Sequence, residues 1–307
     1  MRTAPHPIQY QGSKRILASA ILRYIPVSTA RLIEPFAGSA AISIASAAEQ
    51  KSTAYWINDL NKPLSELLRL IINSPVETAA AYERIWIEQH DDVEHYYKIR
   101  EEFNRTQNPC LFLYLLARCV KGSVRYNSAG EFNQSPDKRR CGTKPNTMRA
   151  NILGVSALLK GRASFSSLNY REVLASSKST DVIYMDPPYQ GVCGERDSRY
   201  FSGISHDDFV TALDELNGRS ISYIVSYDGR RGDKVFGEPL PPELGLTLIE
   251  LEAGRSSQAT LLGRDEITYE SLYFSRALAK KIAHKTLNYR TSPAQQLVLL
   301  QSTVRYA

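Results

Sequence analysis

Apolar residues recur along the chain at two spacings, one typical of amphipathic helices and the other of buried strands. Residues 16–24 have helical spacing that ends at Pro26, and residues 31–36 form a short apolar run. Residues 53–57 are β-branched and aromatic, as in strands, and residues 61–72 return to the helical period. This order predicts a parallel sheet with crossover helices.

The pattern changes after Pro75, where long amphipathic segments extend to about residue 119. A turn at residues 128–130 then lies between two short segments that could pair as a hairpin, and a basic loop follows. A helix over about 146–160 restores the alternation, with strands predicted near 163–165, 181–185, 221–226, 246–251 and 271–275. The chain is therefore predicted to be an α/β protein with a mainly helical interruption.

The composition is that of an ordinary globular protein, with 307 residues, 43% hydrophobic and 23% charged. The net charge of +6 permits a polyanionic partner without requiring one. No two of the four cysteines form a C-x-x-C pair, so neither a metal site nor a disulfide framework is expected. No apolar run approaches the ~18 residues of a membrane span, and residues 1–10 do not resemble a signal peptide, so a cytoplasmic protein without membrane contact is expected.

The strongest chemical signal lies at the end of a predicted apolar strand, where Asp186, Pro187, Pro188 and Tyr189 follow one another. Ligands bind at this edge of an open α/β sheet. Asp186 and the Pro187 carbonyl can accept hydrogen bonds from an aromatic amine and stabilise the positive charge that develops on its nitrogen. The prolines restrict the backbone, and Tyr189 offers a ring for stacking on a base. The alternative is an ordinary strand with a Pro-Pro turn.

Two further motifs suggest a bound nucleotide-like cofactor. Residues 33–39 are a strand, a turn of small residues and a helix start, which together allow close approach of a ligand and offer N–H groups to a carboxylate. Asp59 ends the next strand, where an acid typically bonds a ribose hydroxyl, which strengthens this interpretation; the alternative is that it caps the following helix. Lys14, after Tyr10 and Gly12, could pair with a cofactor carboxylate or belong to a plain surface loop.

The order of these motifs resembles that of the alpha-class amino-methyltransferases, specifically the Dam-type DNA adenine-N6 family. Members have a W-x-G-G-K-like element, an F-A-G-S loop, N-D-x-N, a target-recognition insert and D-P-P-Y. The matching residues here are 10–14, 36–39, 58–61 and 186–189, and the resemblance extends from about Ile8 to about Ser275.

The resemblance implies an α/β fold: a Rossmann-like S-adenosylmethionine-dependent methyltransferase sheet with an inserted, mainly helical target-recognition domain. Residues 1–72 and 160–277 would form the catalytic domain, 73–159 the insert and 278–307 a peripheral tail. The implied reaction transfers a methyl group from S-adenosylmethionine to the N6 amine of adenine in double-stranded DNA, with base flipping. Pairing with a restriction endonuclease is one implied setting.

The resemblance also assigns residue roles. Asp186, Pro187, Pro188 and Tyr189 would hold the target adenine. The implied cofactor contacts are Tyr10, Lys14, Glu34, Pro35, Phe36, Ala37, Gly38, Ser39, Asp59 and Asp186. A hairpin by which members read bases matches residues 125–133, where arginine suits guanine or phosphate, asparagine suits adenine, and the rings suit stacking. The implied DNA contacts, including the basic loop, are Arg125, Tyr126, Asn127, Glu131, Phe132, Asn133, Lys138, Arg139 and Arg140.

Some positions depart from the family pattern. Ala129 stands where arginine or lysine is usual, and residues 134–140 replace a P-F-G run, which argues against GATC as the recognition sequence. Asn169 lies near the position of an acid that bonds the cofactor adenine. Three alternatives remain: an N4-cytosine enzyme, an RNA or protein amino-methyltransferase, and a non-catalytic DNA-binding subunit. Intact Lys14, Asp59 and Asp186 argue against the last.

Overall fold

One mixed sheet forms the centre of the protein, in the spatial order β3-β2-β1-β4-β5-β8-β7, with β6 paired to β5. The computed structural model describes residues 4–90, 92–188, 204–231, 234–236, 238–255 and 267–288. Strands β1 to β5 are mutually parallel, β8 is antiparallel to β5, and β7 is antiparallel to β8. The strands are β1 (Thr29–Glu34), β2 (Ser52–Asn58), β3 (Ala163–Ser166), β4 (Asp181–Met185), β5 (Ser222–Arg231), β6 (Lys234–Phe236), β7 (Thr247–Arg255) and β8 (Ile267–Phe274).

Helices cover both faces of the sheet, and local sequence sets where several of them begin. Asp92 and Ser205 accept hydrogen bonds from backbone N–H groups in the first turns of α5 and α9, and proline occupies the first turn of α3, α4, α6 and α7. The helices are α1 (Ala18–Ile21), α2 (Ala41–Ala48), α3 (Lys62–Asn73), α4 (Pro75–Glu88), α5 (Val93–Thr106), α6 (Pro109–Arg118), α7 (Pro145–Leu159), α8 (Tyr170–Ala175), α9 (His206–Gly218) and α10 (Arg276–Asn288).

Alternation along the strands divides the core between the two faces. In β1, Leu32 belongs to one buried cluster and Ile33 to the other. The first cluster continues without a break through α2, α3 and α7 into α5 and α6, where Phe103 and Phe112 stack with ring centroids 4.8 Å apart. The second lies under α8 and α9. The mainly helical segment therefore shares its core with the sheet.

The expected α/β class with a Rossmann-like sheet is confirmed, and the predicted strands lie within a few residues of those observed. The helix predicted over residues 16–24 is wrong in extent, because α1 has only four residues and a 3-10 turn at Leu22–Tyr24 follows it. α7 packs on α2 and α3, so the end of the expected insert belongs to the helical layer of the sheet. The division into domains at residues 72 and 160 stays a prediction, and most of the tail lies outside the described residues.

Two further findings concern the described part of the chain. None of its helices has the length and apolar character needed to cross a bilayer. Among the same residues, no three His, Cys, Asp or Glu side chains are grouped so that they could hold a metal ion.

Candidate active site

A cavity of about 340 Å³ lies at the carboxyl ends of β1, β2 and β4. The chain runs outward in opposite directions from β1 and β4, and a sheet of this kind binds ligands in the crevice where its strand order reverses. All three sequence motifs meet here. The lining includes every expected cofactor residue, namely Tyr10, Lys14, Glu34, Pro35, Phe36, Ala37, Gly38, Ser39, Asp59 and Asp186. Pro187 and Pro188 also line the cavity, whereas Tyr189 lies outside the described residues.

The turn between β1 and α2 is tied to the ends of the neighbouring segments. Gly38 has a left-handed φ of +51°, and a Cβ there would lie 3.0 Å from Cε1 of Tyr10, so a larger residue would displace that ring. The Gly38 N–H donates to Asp59 Oδ2 at 2.8 Å, and the Asn61 N–H donates to Asp59 Oδ1 at 2.9 Å. Asp59 thus fixes the turn, and α3 begins after Asn61 rather than after Asp59.

Glu34 ends β1 beneath the cavity and is 2% exposed. Its Oε2 accepts a hydrogen bond of 2.8 Å from the N–H of Ser43, in the first turn of α2. Burial raises the pKa of Glu34 to about 7, opposed by hydrogen bonds from Ser43 and Ile42 and reinforced by the charge of Asp186. The start of α2 was expected to offer N–H groups to a cofactor carboxylate. Instead, Glu34 occupies the N–H of Ser43, and Asp59 occupies that of Gly38.

Lys14, which lines the cavity, is paired with two carboxylates. Its Nζ lies 2.9 Å from Asp186 Oδ1 and 2.8 Å from Glu270 Oε1, and the side chain is 8% exposed. Burial lowers the pKa of Lys14, but the charges of Asp186 and Glu270 outweigh burial, so the pKa is raised overall and the ammonium stays charged. Its expected pairing with a cofactor carboxylate stays a prediction, because these contacts give Lys14 protein partners.

The segment 125–133 is a small hairpin with one β-bridge, between Tyr126 and Phe132. The alternation of a strand places Arg125, Glu131 and Asn133 outside and the two rings inside. Tyr126 is 7% exposed and accepts a hydrogen bond of 2.9 Å from Asn61 Nδ2, while Phe132 is 1% exposed. Stacking of either ring on a DNA base would therefore require the hairpin to change conformation, and the expected DNA contacts of Tyr126 and Phe132 stay predictions. The two rings anchor the hairpin to the cavity wall and to α5 and α6.

Asn127, one of the two hairpin asparagines expected to suit adenine, is engaged within the turn. Its Oδ1 accepts from the N–H groups of Ala129 and Glu131, and its Nδ2 donates to Glu131 Oε2 at 2.9 Å. The Asn127 amide therefore stabilises the turn in this conformation, and contact with a base would require it to exchange partners. The expected DNA contact of Asn127 stays a prediction.

The basic loop after the hairpin is held by a buried arginine that the sequence analysis did not single out. Arg118 is 4% exposed, and its guanidinium donates to the carbonyls of Asp137 and Arg140 and to Gln89 Oε1. Arg139 is 91% exposed, and Lys138 is exposed, whereas Arg140 Nη2 lies 2.8 Å from Asp137 Oδ2. The loop thus presents Lys138 and Arg139 to solvent and uses Arg140 partly for its own structure.

Glu270 is a second residue that the sequence analysis missed. It lies on β8, where Leu272 and Phe274 alternate with it and are buried in the same cluster as Tyr184 of β4. In a strand, residues two apart lie on the same face, so a carboxylate spaced two residues from buried apolar residues is predicted to face the core. The signal identifies the face of the strand but not the partner, because Lys14 is far away in the sequence.

The sequence profile of the D12 class N6 adenine-specific DNA methyltransferase family matches residues 10–239 of this chain. The chain belongs to this family. Its similarity to a retron Ec67 DNA adenine methylase of Escherichia coli is 29% identity over 228 residues, which cover 72% of this chain and 73% of that protein. The DNA adenine methylase of Escherichia coli K12 is 29% identical over 186 residues, 59% of this chain and 64% of that protein. The DNA N-6-adenine-methyltransferase of Escherichia phage P1 is 28% identical over 233 residues, 72% of this chain but 29% of that protein.

Membership of this methyltransferase family agrees with the position of the three motifs. The family match begins at Tyr10 and includes the turn at Gly38, Asp59, the hairpin and Asp186. It ends at residue 239, so Glu270 lies beyond the matched part of the chain. Family membership implies the use of S-adenosylmethionine in general and DNA as the substrate.

Proposed function

We propose that this protein is a site-specific DNA methyltransferase that transfers a methyl group from S-adenosylmethionine to the N6 amine of adenine in double-stranded DNA, with the target base turned out of the helix. The observation that carries the proposal is the meeting of Asp186, Pro187 and Pro188 with Asp59 and the Gly38 turn in one cavity. The acceptor residues for an amine and the residues suited to a nucleoside cofactor thus share one space.

The residues of the cavity fit this cofactor. The volume of about 340 Å³ is within the range of small-molecule sites. The lining has four carboxyl groups, on Glu34, Asp59, Asp186 and Asp208, against the cationic groups of Lys14 and Arg171, which suits a cationic ligand. Each Asp59 oxygen accepts one backbone N–H, and a carboxylate oxygen has a further lone pair that can accept a ribose hydroxyl. Tyr10 and Phe36 provide apolar walls. When bound in this cavity, S-adenosylmethionine would supply an electrophilic methyl group.

Asp186 and the Pro187 carbonyl orient the amine. The nitrogen lone pair of adenine N6 is delocalised into the ring, and two acceptors for its protons favour a more nucleophilic geometry. A carboxylate is too weak a base to deprotonate a neutral aryl amine, so the proton leaves N6 after the methyl group has been transferred. The role of Asp186 is to stabilise the positive charge that develops on N6.

The test is methyl transfer from radiolabelled S-adenosylmethionine to unmethylated DNA, with the modified positions then mapped. Asp186→Asn keeps an acceptor oxygen but loses the charge, so we expect its single-turnover rate at saturating cofactor to fall about 100- to 1000-fold while DNA affinity is nearly unchanged. Glu252→Gln, an exposed position on β7, is the matched control and should retain the wild-type rate.

A wild-type rate for Asp186→Asn would show that this is not the active site. Transfer of the labelled methyl group to cytosine N4, to RNA or to protein would contradict the proposal and identify the protein as one of the related amine methyltransferases. Specific DNA binding without transfer to any of these substrates would identify a non-catalytic DNA-binding subunit.

A further inference from the structure

Glu270 reaches the Lys14 ammonium from β8, which is not adjacent to β4, the strand that Asp186 follows. β5 lies between β4 and β8, and its register shifts between Ser226 and Gly229, next to the point where Gly229 pairs with Glu270. Bulges of this kind turn side chains toward active sites. The Glu270 side chain is 15% exposed, and its Oε1 lies 2.8 Å from Lys14 Nζ, which also lies 2.9 Å from Asp186 Oδ1.

The cluster of Lys14, Asp186 and Glu270 contains one ammonium and two carboxylates, and therefore carries one net negative charge when all three are ionised. Lys14 and Asp186 alone would be a neutral pair, in which the ammonium cancels the carboxylate. Because Glu270 shares the Lys14 ammonium, Lys14 neutralises the negative charge of Asp186 less completely than it would in a simple pair.

We propose that Glu270 is a positioning residue of the active site, which holds the Lys14 ammonium and gives the cluster its net negative charge. This inference rests on the proposed function and assigns a role in it to a residue beyond the family match. Glu270 acts through Lys14 and need not touch the adenine or the cofactor.

The net charge of this cluster has a consequence for ligand choice. S-adenosylmethionine has a sulfonium centre, whereas the product S-adenosylhomocysteine has a neutral sulfide and is otherwise the same molecule without the methyl group. An excess negative charge in the site favours the sulfonium form and the cationic transition state over the neutral product. Removal of the Glu270 charge should therefore weaken binding of the two ligands unequally.

The experiment compares the calorimetric Kd values of S-adenosylmethionine and S-adenosylhomocysteine in the full chain and its variants, without DNA. For Glu270→Gln, we expect the preference for S-adenosylmethionine relative to S-adenosylhomocysteine to fall about tenfold, as for the loss of one nearby charge at intermediate dielectric. Glu270→Asp keeps the charge and should retain most of the preference. Glu252→Gln removes an exposed charge on the neighbouring strand and should leave the preference unchanged.

An unchanged ratio of the two Kd values in Glu270→Gln would overturn the inference. An equal loss of affinity for both ligands would also overturn it, because that result indicates a structural role only. Wild-type protein that binds S-adenosylmethionine but methylates no DNA would refute the proposed function, while the ratio would still decide the role of Glu270. Wild-type protein that binds neither ligand would refute both.

Discussion

Glu34 is a single carboxyl group whose surroundings affect the stability of the whole fold. It lies buried at the end of β1, and its pKa of about 7 is well above the ordinary value of 4.5. Between these two values the folded protein binds more protons at Glu34 than the unfolded chain does. The free energy of unfolding contributed by this residue is therefore fully present below about pH 4.5 and decreases as the pH rises through about 7.

Glu34→Gln should remove this dependence, because glutamine keeps an acceptor for the Ser43 N–H and cannot ionise. We expect the variant to be more stable than the wild type by about 1–3 kcal/mol at pH 8 and little different at pH 5. Urea unfolding at the two pH values measures the difference. Glu49→Gln, at the exposed end of α2, is the control and should follow the wild type at both pH values. Equal stability of Glu34→Gln and wild type at pH 8 would contradict the prediction.

Residue by residue, the sequence predicted the location of the site better than its contacts. Asp59 and Asp186 could be placed because each ends an apolar strand, and the ends of parallel strands meet at one edge. The partners of Lys14 could not be placed, since Glu270 reaches it from a strand more than two hundred residues later through a local shift in register. Such a contact depends on tertiary packing that no local pattern contains.

At the scale of elements, the alternation of side chains along the hairpin predicts which of them are buried better than the family resemblance does. Alternation alone would have placed Tyr126 and Phe132 on one face and Arg125, Glu131 and Asn133 on the other. The structure has this arrangement, with the rings buried and the polar residues exposed. The basic loop, by contrast, has no regular alternation of apolar and polar residues, so its attachment to Arg118 could not have been predicted from the sequence.

The basic loop yields a graded prediction for DNA binding. We expect Lys138→Ala and Arg139→Ala each to weaken binding to all sequences alike and to reduce the slope of log K against log salt by about 0.9, as for one lost phosphate contact. Arg140→Ala should reduce the slope less, because this arginine is paired with Asp137. Titrations of specific and unrelated duplexes at several salt concentrations measure the slopes. A loss confined to one base position would show that the residue reads bases instead.

At the scale of the whole molecule, one ion pair joins the two parts of the chain that make the centre of the sheet. Arg31 of β1 donates from Nη2 to Asp181 Oδ2 at 2.7 Å and from Nε to Oδ1 at 3.2 Å, and Asp181 is buried. The same carboxylate accepts from the N–H of Lys178 at 2.8 Å. Two strands that lie far apart in the sequence are thus fixed at their starting ends.

Asp181→Asn should destabilise the protein by about 3–5 kcal/mol, because it leaves a partly buried guanidinium without its carboxylate. Urea unfolding at pH 7 measures this loss. The control is Glu66→Gln, which breaks the exposed pair with Arg69 and should change the free energy of unfolding by less than about 1 kcal/mol. A similar small change for both variants would show that the Arg31–Asp181 pair does not hold the centre of the sheet.

The separation of these two residues, 150 positions along the chain, also matters while the protein is being made. β1 can pair with β2 soon after both have left the ribosome, but its other edge has no neighbour until β4 emerges. At about 5–20 residues per second, the residues between the end of β2 and the start of β4 take about 6–25 seconds to synthesise, and that edge stays open throughout. An open apolar strand edge is a template for pairing with other chains. The interval between the synthesis of β2 and that of β4 is therefore the period in which the nascent protein is most vulnerable to aggregation, and slower translation of the intervening helices would lengthen it.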